Sequence, residues 1–185
     1  MTVIKKGQCI DMSSSSSFQA RLVVTGLDGN GRSTVTTDDA GQTRIALPTF
    51  TSVDLWQSDS LPTAVGADST LGESPELNPP NGGLVVRVIS FPPDSEWQEG
   101  EGYKEALATV GGGDANVDGE IAGLHETDTV DVLTVVQGEI YAVLEETETL
   151  LRQGDSLVQR GTKHAWSNRS DKPAILTATM ISAAR

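Results

Sequence analysis

The sequence predicts an all-β fold built from short antiparallel strands. Three observations carry this. The 185 residues include 19 Gly and 8 Pro, so the chain turns often. From about residue 120 onward, β-prone segments alternate with turn residues at short, regular intervals. Convincing helical periodicity is confined to one segment, Glu101–Val110.

Residues 13–17 are five consecutive serines and read as a loose connector. Arg21–Thr25 and Arg32–Thr36 are β-prone and flank Asp28-Gly29-Asn30-Gly31, which predicts a hairpin. Thr49–Trp56 predicts a further strand. Gln57–Gly83 is rich in Ser, Pro, Gly and acidic residues and predicts a long surface excursion. Leu84–Phe91 is an apolar, β-branched run interrupted by Arg87 and Ser90 and closed by Pro92-Pro93, which suits a buried strand. Glu101–Val110 sets Tyr103, Ala106, Leu107 and Val110 on one helical face, and Gly111–Gly113 ends it.

The remaining strands are expected at Thr129–Val136, Glu139–Leu144, Glu148–Leu151, Ser156–Gln159, His164–Ser167 and Ala174–Ile181. Six short strands with regular turns define an antiparallel sandwich or barrel. The barrel is expected over residues 84–185. Residues 1–83 are expected to form an N-terminal β extension that packs on the barrel or on a partner.

Charge and cysteine content exclude several partners. With 13 Lys and Arg against 26 Asp and Glu, the net charge is −13. Phosphate backbones and anionic membranes repel such a chain, so neither nucleic acid nor membrane is expected as a partner. Cys9 is the single cysteine, which rules out an internal disulfide and a Cys-rich metal site. The polar N-terminus and the lack of an apolar span lead to the expectation of a cytoplasmic protein.

The chain has two histidines, His125 and His164. Side chains alternate along a strand, so residues two apart share a face. His125, Thr127, Thr129 and Asp131 then point one way, and Val130, Val132, Thr134 and Val136 the other. His164 and Trp166 share a face of the later strand. Trp166 is placed to stack on a flat substrate, and Tyr141 is expected in the wall.

The run His125-x-Thr127-x3-Asp131-x6-Gly138, followed by Gly154-Asp155 and Gly161-x2-His164-x3-Asn168, resembles the two motifs of the cupin superfamily. That resemblance implies a double-stranded β-helix, or jelly-roll, barrel. It departs from the motifs at Thr127, where a histidine is usual, at Asp131, where a glutamate is usual, and at Gln159, where a proline is usual. Arg21–Gly26, Leu55–Asp59, Phe91–Trp97 and Val158–Trp166 are similar to small single-domain cupins, some encoded beside fungal polyketide synthases and described as oxidoreductases or tailoring enzymes.

The resemblance implies a catalytic centre at His125, Asp131 and His164, lined by Thr127, Trp166 and Tyr141. Three readings follow. As a two-histidine, one-carboxylate set, the centre would hold iron, zinc, manganese or nickel and act on a polyketide, phenolic or keto compound. Without metal, His164 would exchange a proton with the substrate, and Asp131 or His125 would orient it or relay the proton, in a cyclisation, a dehydration, or a hydrolysis or lactonisation. Alternatively the barrel captures a small ligand without turnover. The resemblance also implies a homodimer.

Overall fold

The alternating and β-branched segments become eleven strands in a computed structural model that describes residues 17–97, 121 and 123–185. They are β1 (Arg21–Leu27), β2 (Ser33–Ala40), β3 (Thr43–Ala46), β4 (Thr51–Ser58), β5 (Leu84–Phe91) and β6 (Thr129–Gln137), then β7 (Glu139–Leu144), β8 (Glu148–Arg152), β9 (Ser156–Gln159), β10 (His164–Ser167) and β11 (Ala174–Ser182). The helix expected at Glu101–Val110 lies outside the described residues.

A six-stranded sheet has the order β3-β4-β5-β11-β6-β9, and a three-stranded sheet the order β10-β7-β8. Every pairing is antiparallel. The chain order differs from the spatial order, since β11 returns to lie between β5 and β6. The two sheets close on a shared core in which Phe50, Phe91, Leu133 and Leu176 meet Ile140, Leu151 and Trp166. This is a jelly-roll barrel.

Among the described residues, β1 and β2 pair only with each other, as a two-stranded ribbon. The Asp28–Gly31 turn closes it through an Asx turn, in which the Asp28 carboxylate accepts from the Asn30 and Arg32 amides. β3 has no counterpart among the strands expected from sequence. It is four residues long and is ordered by pairing with β4, which in turn pairs with β5. Residues 43–58 thus continue the barrel's own sheet. A second cluster, Phe18, Ala20, Val53 and Ile175, packs the start of the ribbon onto that sheet.

The β6–β7 turn rests on Gly138, which has φ of +75°. An added Cβ there would sit 2.9 Å from the Pro173 carbonyl oxygen. Backbone strain and a backbone clash coincide, so Gly138→Ala is expected to cost about 2–3 kcal/mol. Gly154, also at positive φ, has open space around it. Urea unfolding should therefore show a clearly smaller loss for Gly154→Ala than for Gly138→Ala.

Candidate active site inside the barrel

Strand alternation decides what enters the barrel. On β6, Thr129, Asp131, Leu133 and Val135 are buried while their neighbours face out. On β10, His164, Ala165 and Trp166 are all buried. His125 lies just upstream of β6 and forms an isolated bridge with His164. Each histidine amide donates to the other's carbonyl, at 3.0 and 2.9 Å.

That backbone bridge brings the rings together, with centroids 4.4 Å apart and planes tilted by 48°. His125 Nδ1 lies 2.9 Å from the Gly123 carbonyl, and His164 Nδ1 2.9 Å from the Thr162 carbonyl. A carbonyl only accepts, so in each neutral ring Nδ1 carries the proton and Nε2 presents a lone pair. Burial pushes both rings toward the neutral form. His164 falls to about 4, through desolvation first and then repulsion from His125. Desolvation also lowers His125, against the Gly123 hydrogen bond.

Asp131 behaves in the opposite way. It is 4 % exposed, and its Oδ1 has no hydrogen-bond partner among the described residues. Burial raises its carboxyl to about 6, against the pull of the Thr129 hydroxyl and the Arg87 charge. Thr129 in turn shares a 2.7 Å hydrogen bond with Thr127. The order of acidity expected from reference values is thereby altered. Asp131, and not His164, titrates near neutrality.

Arg87 enters the barrel from β5. It pairs with buried Asp54 on β4, Nε to Oδ1 at 3.2 Å, and donates to the Glu76 and Leu77 carbonyls at 2.7 and 3.3 Å. The excursion before β5 is thus tied down where it meets the cavity. Arg87, Asp54 and this segment were not singled out from sequence. The available signal was an arginine inside an otherwise apolar β-branched strand, which must find a partner when buried.

His125, Thr127, Asp131, His164 and Trp166 line one cavity, together with Arg87 and apolar groups such as Phe50 and Phe91. The cavity itself has room of about 70 Å³, and about 690 Å³ is reached only when the open solvent at its mouth is counted. Trp166 stands edge-on to His164 with centroids 5.9 Å apart. Tyr141 is a correction. Ile140 and Ala142 take the inward positions of β7, so Tyr141 faces outward, beneath the Arg169 guanidinium at 4.1 Å from the ring centroid.

The expected metal set is not assembled. Among the described residues, no group of three or more His, Cys, Asp and Glu side chains is arranged to hold a metal ion. His125, Asp131 and His164 share the cavity but do not assemble as a three-ligand centre. Thr127 occupies the second histidine's place, and its hydroxyl is engaged by Thr129. Asp131 is one methylene shorter than the motif's glutamate. The residues present do not fit the divalent metal expected there.

Comparison with known proteins agrees with the fold. Residues 116–180 match the cupin domain family. It is 33 % identical over 128 residues to a phomopsin biosynthesis cluster protein of Diaporthe leptostromiformis, covering 68 % of this chain and 52 % of that protein. It is 25 % identical over 151 residues to a cupin-domain-containing oxidoreductase of Neurospora crassa, covering 78 % and 64 %. The chain thus spans about half to two thirds of these relatives. Among solved structures, the cupin domain of Schizosaccharomyces pombe Cnp3 superposes with a TM-score of 0.44 at 10 % identity, covering 89 % of this chain and 83 % of that one. No described helix is long and apolar enough to cross a membrane.

Two predictions follow from the buried charges. Asp131, raised from 3.8 to about 6, binds more protons folded than unfolded, so its penalty grows as pH rises through that interval. His164, lowered from 6.5 to about 4, binds fewer protons folded, so its penalty grows as pH falls through a nearly coincident interval. Each is worth roughly 3 kcal/mol, and the two oppose each other. In thermal melts, Asp131→Asn should lose stability between pH 6.5 and 4 more steeply than wild type, and His164→Gln should gain. Separately, Arg87→Met should cost about 3–5 kcal/mol by stranding Asp54, and Arg87→Met with Asp54→Leu should recover part of that in denaturant unfolding.

Proposed function

We propose that this chain is a small-molecule tailoring enzyme of secondary metabolism that moves protons on a keto or phenolic substrate. The observation that carries the reading is the unpartnered, buried Asp131 oxygen in a cavity it shares with two imidazole lone pairs and an arginine. Asp131 is the proton-transfer group, because its carboxyl changes state near neutral pH, where general acids and bases work best. As the carboxylate, it takes a proton from carbon next to the substrate carbonyl and becomes the neutral acid. The electron pair left behind forms an enolate, whose charge the Arg87 guanidinium offsets. Return of the proton to a different carbon completes an isomerisation; delivered instead to a β-hydroxyl as its C–O bond breaks, the proton leaves with it as water and completes a dehydration; and where the enolate carbon bonds to a second carbonyl of the same substrate, the proton goes to that carbonyl oxygen and completes an aldol cyclisation.

His125 and His164 play a different part in this reading. Rings held neutral with Nδ1 engaged offer Nε2 as an acceptor, suited to a substrate hydroxyl. Trp166 and Phe91, 6.2 Å apart between centroids, supply a flat apolar wall for a conjugated system. The relatives in biosynthesis clusters support a biosynthetic role. The oxidoreductase name of the Neurospora relative favours a second reading, redox chemistry at the same cavity.

The test is deuterium wash-in from D₂O into a panel of small methyl ketones and acyl phenols, followed by proton NMR. Wild type should exchange above the buffer rate, and Asp131→Asn should lose about 100-fold or more. Ligand binding should quench emission that Trp166→Phe removes. Quenching without wash-in would leave a ligand-binding protein. Near-stoichiometric metal in the untagged protein, lost in His164→Ala, would overturn the proton-transfer reading in favour of the redox one.

A further inference from the structure

We infer that Leu77 sets the size of the substrate, because the strap that carries it is a part of the cavity wall that no β ladder fixes. The inference rests on the cavity being the substrate site of the reaction proposed above. Most of the lining residues stand on barrel strands, where pairing with neighbours decides their positions. Pro75, Glu76 and Leu77 line the same cavity from the excursion before β5. Among the described residues, none of residues 73–79, the strap, takes part in a backbone–backbone hydrogen bond. Pro75 and Pro79 have no amide proton to offer one.

The enclosed room is small. It is about 70 Å³, against roughly 300–1,000 Å³ in sites that enclose a drug-sized molecule. The cavity therefore holds the reacting end of a substrate, and the remainder lies in the open mouth. Glu76 is exposed and Leu77 half-buried, so the strap stands where the cavity opens to solvent. What it places there decides how much of the remainder fits.

The strap is held by side chains that reach its main chain. Thr43 Oγ1 donates to the Gly72 carbonyl at 2.6 Å, just before the strap begins. Arg87 donates to the Glu76 and Leu77 carbonyls, at 2.7 and 3.3 Å, and is itself fixed by Asp54. These contacts use carbonyl oxygens, which every residue type supplies. The path of the backbone is thus independent of the side chain at position 77, and that side chain alone defines the local shape of the wall.

Leu77 packs against the core cluster that includes Phe50, Phe91 and Trp166. Its apolar neighbours in the lining include Pro75 and Ile45. Such a border suits an uncharged alkyl group on the keto or phenolic substrate. One methylene more or less against an apolar wall changes affinity by about 10-fold or more. Leu157 offers a matched control. It is half-buried on the same core cluster and does not line the cavity.

Isothermal titration calorimetry of the full chain with methyl, propyl and pentyl phenyl ketones tests this. The readout is the ratio of pentyl to methyl affinity within one protein, which a misfolded fraction does not change. Leu77→Ala removes an isopropyl group and should raise that ratio about 10-fold or more over wild type. Leu77→Phe should lower it by about as much, with the methyl ketone still bound. Leu157→Ala should leave the ratio at the wild-type value. A ratio unmoved in either Leu77 variant would overturn the inference, as would an equal shift in Leu157→Ala. Binding is read here without turnover. Shifted ratios without D₂O exchange would therefore uphold the inference and sink the proton-transfer reading alone, whereas a wild type that binds none of the ketones would overturn both.

Discussion

The constraint on which the rest depends is the period-two alternation of β5, β6 and β11, locked by their shared register. β11 pairs with β5 on one side and β6 on the other, so a slip of one residue in any of the three would turn its whole face over. Asp131 and Arg87 would then face outward, and the valines would fill the barrel. The register that buries the core is thus also what builds the site. The same alternation strips the opposite face of charge, so one sequence pattern produces the polar interior and the apolar exterior together.

A barrel interior holding an arginine, two carboxyls and two imidazoles is costly unless each is satisfied. Asp54 and Arg87 are the paired part, with Arg87 Nε in ion-pair contact with Asp54 but making no hydrogen bond among the described residues. Two contacts to one carboxylate and two to carbonyls leave the guanidinium fixed, and the excursion before β5 is fixed with it. Asp131 is the unsettled part. It feels the arginine's charge only at a distance and keeps one oxygen without a partner. A group held in that condition is adjusted for proton exchange, because neither of its states is strongly preferred near neutral pH. In the proposed mechanism, stability and reactivity are divided between two aspartates on neighbouring parts of one sheet.

Much of this was legible in the residues. Leu84–Phe91, Glu139–Leu144, Ser156–Gln159 and His164–Ser167 run over the same residues in sequence and structure, because turn residues bracket each of them. His125, Thr127, Asp131, His164 and Trp166 come together because a two-residue period is all that their placement needs. Tyr141 was misplaced because alternation gives two faces without saying which is inner. Ile140 and Ala142 decide that through core packing, a property of the opposed sheet. β3 was missed because four residues carry too little pattern, and pairing with β4 orders them. The proposed proton-transfer role falls to Asp131 in place of His164 because reference pKa values describe solvated groups, and burial moves an acid up and a base down.

The misfit with a metal centre has the same origin. A ligand set needs donors converging on one point, and each substitution here sends a donor elsewhere. Thr127 replaces an imidazole with a hydroxyl that turns to Thr129, and Thr129 holds Asp131 from the same strand. Thr127 and Thr129 are engaged with each other along one face, and Thr129 with Asp131, which still keeps Oδ1 without a partner among the described residues. What remains is a pair of neutral rings that accept hydrogen bonds and a carboxyl that gives or takes a proton. That division of labour is suited to a substrate carrying both a hydroxyl and an acidic C–H, because each feature then meets the group whose protonation state matches it.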